Sequence, residues 1–129
     1  MNKIIVEVSV GELLDKISIL EIKKEKIKDH EKLEFINDEH KILTSQLDQN
    51  IKVNEKLKKL FEALKEINHK LWIIEDEKRF CEKEKNFGET FIKLSRDVHF
   101  LNDDRAKMKL EINNLTNSKI KEIKEYTKY

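Results

Sequence analysis

The sequence predicts an all-α protein, an antiparallel bundle of about four helices with a short N-terminal β-strand, assembled as a dimer. Three observations carry that expectation. The 129 residues include no proline and only two glycines, Gly11 and Gly88, so turn-rich β architecture has little to turn on. Charged residues make up 41% of the chain, with Lys, Glu, Leu and Ile prominent, as in helices that bury one face and solvate the other. Apolar residues also recur at spacings of three and four along most of the length, the period of a helix. Length and the absence of any linker-like stretch predict a single domain, 1–129.

The first element is the exception. Residues 3–8 read KIIVEV, β-branched and partly alternating, which suits a short strand. Its backbone groups need a partner, and the interior of the chain has no second strand-like run. The C-terminal tail or the same strand of a second subunit would supply one, and a homodimer is the favoured solution.

Helix one is expected over 10–28. Ser9 and Glu12 form a reciprocal capping box, and Val10, Leu13, Leu14, Ile17, Leu20 and Ile27, flanked by Ile19 and Ile22, make an arc wide enough for contact on two sides. Asp29 can cap a helix over 30–48, whose inner stripe is Leu33, Ile36, His40, Leu43 and Leu47. His40 has no second histidine at metal-binding spacing and is expected to be a satisfied core residue. The Asp48-Gln49-Asn50 cluster marks a turn. A helix over 53–85 follows, carrying Leu57, Leu60, Phe61, Leu64, Ile67, Leu71 and Trp72 inward. Asn86 with Glu89 resembles another capping box and opens a helix over 87–117, with Phe87, Phe91, Leu94, Val98, Leu101, Met108, Ile112 and Leu115 on its stripe. Asn117-Ser118 ends it, leaving a tail over 118–129.

Composition also excludes functions. With 27 basic and 26 acidic residues interspersed, the net charge of +1 offers none of the basic excess that nucleic-acid binding requires. No run approaches the roughly 20 apolar residues of a membrane span, and residues 1–10 are too short and too acidic for a signal peptide. Cys81 is the sole cysteine, which excludes an intramolecular disulfide and a cysteine zinc cluster and suits a reducing cytoplasm. There is no Gly-rich phosphate loop, nucleophile elbow or His-x-x-x-His pair, so no cofactor or metal is expected.

The feature that needs explaining is a set of polar residues on the wrong faces. Projected at about 100° per residue, Glu21 falls inside the apolar arc of helix one, with Ser18 and Glu25 at its edge. The stripe of helix three continues through Asn68, Glu75, Arg79 and Glu82, with Trp72 at its margin. Helix four carries Ser95, Asn102, Arg105, Lys109 and Asn113 among its apolar residues. Carboxylates on two helices and cations mostly on the fourth are complementary, and buried charge is costly unless paired, so one shared polar region is expected. The candidate pocket is Glu21, Asn68, Trp72, Glu75, Arg79, Asn102, Arg105, Lys109 and Asn113. A network that only fixes helix register would look the same in sequence.

The segments VSVGELLDKISILEIK, LWIIEDEKR, FGETF and NDDRAKMKLEIN together resemble a bacterial and phage family known as domain of unknown function family 6165. The resemblance covers nearly the whole chain. It implies no activity, but its segments include Asp15, Glu21, Trp72, Glu75, Arg79, Asn102, Arg105, Lys109 and Asn113. Where that family often has Asp after the Trp, this chain has Ile73 and Ile74, which shortens the acidic run and weakens a metal-binding role.

Two functions follow as alternatives. One is a homodimeric interaction or scaffold module that binds a protein partner and uses the polar set as internal structure. The other is an enzyme, or a binder of a small anionic metabolite, with Arg79, Arg105 and Lys109 as an anion clamp and Glu21 or Glu75 as the acid/base or orienting carboxylate.

Overall fold

A computed structural model describes residues 2–129. They form four helices, α1 (Val10–Lys26), α2 (His30–Asn50), α3 (Glu55–Lys83) and α4 (Glu89–Leu115), and no strand. The architecture is all-α and bundle-like, built as two hairpins. α3 and α4 pair along their length, α1 lies across that pair and touches both, and the backbone of α2 approaches α1 alone. The wide apolar arc of α1 has this cause, since it faces α2 on one side and the α3–α4 hairpin on the other.

Local signals set the helix ends. Ser9 Oγ accepts from the Glu12 amide at 3.0 Å, Asp29 Oδ1 from the Lys32 amide at 3.0 Å and Asn54 Oδ1 from the Leu57 amide at 2.9 Å. The Glu12 carboxylate does not return to Ser9 to complete the box, because it points to Lys109 instead. α2 runs through the Asp48-Gln49-Asn50 cluster to Asn50, where the Asn50 side chain bonds back to the Gln46 carbonyl. The cap of α4 is Gly88, and Asn86 accepts from the Gly88 amide at 3.2 Å, so α4 starts at Glu89.

α3 and α4 both end in Schellman motifs. Lys85 and Asn117 adopt φ 54° and 52°, and the next amides, Asn86 and Ser118, reach back to the carbonyls of Cys81 and Asn113. The second of these turns the chain so that Ser118 faces α1.

The core cluster is Leu14, Ile17, Leu57, Leu64 and Ile112, with Leu43, Leu47, Ile51, Leu60, Phe61 and Met108 packed against it. Full burial of each large aliphatic side chain is worth roughly 1.5–3 kcal/mol. This core occupies only the end of the hairpin that α1 and α2 cover. The 29 residues of α3 and 27 of α4 outreach the 17 of α1. The far end therefore projects as a two-helix arm around Leu71, Cys81 and Leu94, with Phe80, Phe87 and Ile92 exposed.

The expected N-terminal strand is not formed. Residues 2–8 have no regular secondary structure, and Ile4, Ile5 and Val6 are 90%, 82% and 69% exposed. β-branched residues fit a pleated surface, but a strand exists only where another backbone supplies its ladder. The tail, one of the two expected partners, runs back along α4 instead: Lys121 donates to Asn114, Glu122 accepts from Lys109, and the Tyr129 ring lies 5.4 Å from that of Phe100.

Candidate functional site

α1 contributes a stripe of small and polar residues, Gly11, Asp15 and Ser18, continued by Ile22, and all four are buried. Their spacing of four, three and four puts them on one face, beside the Leu14–Ile17 stripe. That face meets α4 and the middle of α3, and the polar residues of those helices converge on it.

Asp15 is the centre. Its side chain is 2% exposed, and it accepts a bidentate pair of hydrogen bonds from Arg105, with Nε at 2.9 Å from Oδ1 and Nη2 on Oδ2. Asn68 Nδ2 donates to the same Oδ1 at 2.9 Å and to Ser18 Oγ at 2.8 Å, and Ser18 donates to the Asp15 carbonyl at 2.7 Å. Each buried polar group in this set has a partner, which removes most of the cost of burying it.

A second pair lies next to it. Lys109 Nζ donates to Glu12 Oε2 at 2.7 Å and to Glu122 Oε2 of the tail at 2.9 Å. The start of α1 is then closed by α4: Asn113 Oδ1 accepts from the Gly11 amide at 2.7 Å and Ser118 Oγ from the Val10 amide at 3.1 Å. With Ser9 on Glu12, the first three amides of the helix all have side-chain acceptors. The approach is close enough to need a glycine, since a Cβ on Gly11 would stand 2.6 Å from the Lys109 carbonyl oxygen and 2.9 Å from Asn113 Oδ1.

The electrostatics agree with the geometry. Burial pushes the Asp15 carboxyl up, but the hydrogen bonds from Arg105 and Asn68 and the charges of Arg105 and Lys109 outweigh it and hold the group below the usual aspartate range. Burial pulls the Lys109 ammonium down, and its bonds to Glu12 and Glu122 more than reverse that. The bond to Asp15 raises Arg105. Asp15, Arg105 and Lys109 are thus locked in their charged forms, whereas a general acid or base needs a pKa near the working pH.

Glu21 belongs to a different cluster, on the other side of α1. It accepts from His40 Nε2 and Lys65 Nζ, each at 3.2 Å, and Lys65 also reaches Glu25 at 3.6 Å. Lys24 Nζ lies 3.1 Å from His40 Nδ1. An ammonium can only donate, so Nδ1 is the acceptor and Nε2 carries the proton given to Glu21. Both ring nitrogens are satisfied, as expected of His40, but the side chain is only partly buried and does not belong to the core.

The structure therefore brings Asn68, Arg105, Lys109 and Asn113 together, around residues of α1 that the helical projection passed over. Gly11, Asp15 and Ser18 share one face by their spacing, but the projection, drawn around the Leu14–Ile17 arc, singled out only Ser18 of the three, at its edge. Glu12 and Ser9 were read only as caps. Glu21 sits apart, so the expected single polar region is two clusters. Arg79 is exposed and Glu75 partly buried on the projecting arm, and neither makes an ion pair among the described residues. Trp72 and Asn102 are partly buried, without a side-chain hydrogen bond among the described residues. Their stripe faces inward only where α1 covers the hairpin. No three His, Cys, Asp or Glu side chains converge as a metal site among the described residues, and no helix there is long and apolar enough to cross a membrane.

Residues 4–129 match the model of a family described as Family of unknown function (DUF6165), and the chain belongs to that family. No curated protein and no solved structure matches the chain.

Proposed function

We propose that this DUF6165 protein is a small homodimeric interaction or scaffold module of the reducing cytoplasm, and that its inward polar network fixes α1 on the α3–α4 hairpin. The observation that carries the proposal is internal neutralisation: Arg105 is matched by Asp15, and Lys109 by Glu12 and Glu122, all from the same chain. A pocket built for an anion keeps its cations free for the ligand; here Arg105 and Lys109 are already paired with α1 and the tail, and Arg79, the third cation of the expected clamp, lies apart on the arm. What the fold leaves unmatched is apolar surface, on residues 2–8 and on the arm, where Ile73, Ile74, Leu94, Phe100 and Leu101 line an open groove. Such surface fits association with protein better than catalysis.

One observation favours the alternative, a binder of a small anionic metabolite. Glu122 lies on a tail without regular secondary structure and its side chain is 44% exposed, so a ligand carboxylate or phosphate can compete with it for Lys109. Arg105 would then hold the far end of the ligand only by giving up Asp15.

Sedimentation velocity and thermal shift together test the choice. The module predicts a species of twice 15.5 kDa at micromolar concentration, and no stabilisation by phosphorylated sugars, nucleotides or aromatic dicarboxylates. A monomer at all concentrations sinks the dimer. A shift of several degrees that disappears in Lys109→Met supports the metabolite pocket instead.

A further inference from the structure

We infer that the dimer is joined by residues 3–7 of each chain, paired as an antiparallel ribbon in one register, with Ile5 facing Ile5 of the second copy; this rests on the dimer proposed above. Residues 2–8 leave the bundle at Ser9, are exposed throughout, and have no hydrogen-bond partner among the described residues. Exposed β-branched backbone of this kind is a template for another strand. The tail, the other expected partner, is already laid along α4 by Glu122 and Tyr129.

The sequence of the segment selects a second copy as the occupant. In an antiparallel pair centred on Ile5, Lys3 lies opposite Glu7 at one end and Glu7 opposite Lys3 at the other, so two cross-strand ion pairs form from one sequence. Ile4 faces Val6, and Ile4, Val6 and Val8 of both chains share one side of the ribbon. A slip of one residue would put Lys3 and Glu7 on that apolar side, and a slip of two would leave both charges without a mate. Only the central register satisfies charge and apolar patterning together, and it is self-complementary as a two-fold interface must be.

A two-stranded ribbon is marginal by itself and needs its apolar side covered. The end of the bundle from which the segment leaves has that cover. Val10 and Gly11 are bonded to Ser118 and Asn113, and the same end exposes Leu115 and Ile120.

The test is disulfide trapping combined with charge exchange in the full chain. Because Ile5 faces its own copy, the Ile5→Cys variant should cross-link to a dimer under mild oxidation, Lys3→Cys should not, and the Lys3→Cys, Glu7→Cys double variant should. Cys81 is buried, so the unmodified chain is the blank. Lys3→Glu should weaken association by about tenfold, and adding Glu7→Lys should restore it. Deletion of residues 1–8 should leave a monomer with an unchanged helical spectrum. A dimer that survives the deletion, or that cross-links equally well through Lys3→Cys alone, overturns the ribbon while leaving the dimer in place. A full chain that never dimerises overturns both.

Discussion

Of the α1 carboxylates tied to a cation on the α3–α4 hairpin, Asp15 and Glu21 differ in almost everything except chemistry. Asp15 is 2% exposed and is held by the planar fork of Arg105, an amide from Asn68 and a charge from Lys109. Glu21 is 29% exposed and is held by an imidazole and a flexible ammonium. Water screens the second cluster and competes for each of its bonds, while the Asp15 carboxylate has exchanged its water for protein and only the outer part of Arg105 stays wet. The contrast teaches that burial and geometry, more than the number of contacts, decide how much an ion pair contributes. A buried pair contributes little as a pair, yet loss of one partner is severe because the other is stranded.

The contrast breaks hardest at Arg105. Arg105→Ala leaves Asp15 buried with Asn68 as its remaining side-chain donor and should cost about 3 kcal/mol, read as a drop in Tm of roughly 10 °C. A loss comparable to that of a surface substitution would mean that the network is already wet. Gly11→Ala comes next, because the clash is with the backbone of Lys109 and α1 must move away from α4. It should cost roughly 1–3 kcal/mol, and urea denaturation should give an unchanged m-value.

The pH dependence sharpens the same comparison with a smaller effect. The folded pKa of Asp15 lies below its unfolded value, so its contribution is present above the usual aspartate range and is lost as pH falls through the folded value. Lys109 is the mirror case: its folded value is raised, so its contribution is present below the usual lysine range and is lost as pH rises through the folded value. Denaturation midpoints measured against pH should show a shallower acid limb in Asp15→Asn, and a shallower alkaline limb in Lys109→Met. Glu21→Gln is the smallest change. It should cost about 0.5 kcal/mol or less and shrink further in high salt, while Arg105→Ala remains costly there.

Much of the helical layout was legible because periodicity and caps are local. Ser9 and Asp29 bond the amides three residues on, as their types and positions imply. Where sequence reasoning failed, a distant partner had intervened. Glu12 fits a capping box until Lys109, far along the chain, takes its carboxylate. Asn86 is as good a cap as Ser9, yet its oxygen is used two residues on, by Gly88. KIIVEV has strand chemistry and no strand, since propensity cannot supply the second backbone.

For the candidate site the division is similar. The sequence alone determined that α1 has an apolar arc on two sides and that α4 carries Arg105, Lys109 and Asn113 among its apolar residues. Only the tertiary structure decided which carboxylates those cations meet. α1 crosses the hairpin at one end, so Asp15 and Glu12 face α4 while Glu21, on the opposite side of the same helix, is directed to His40 and Lys65. A helical wheel gives each residue an angle but no depth or partner. Where along the hairpin α1 lies depends on the close approach at Gly11 and on the packing of Leu14 and Ile17, contacts that exist only once all the helices are in place.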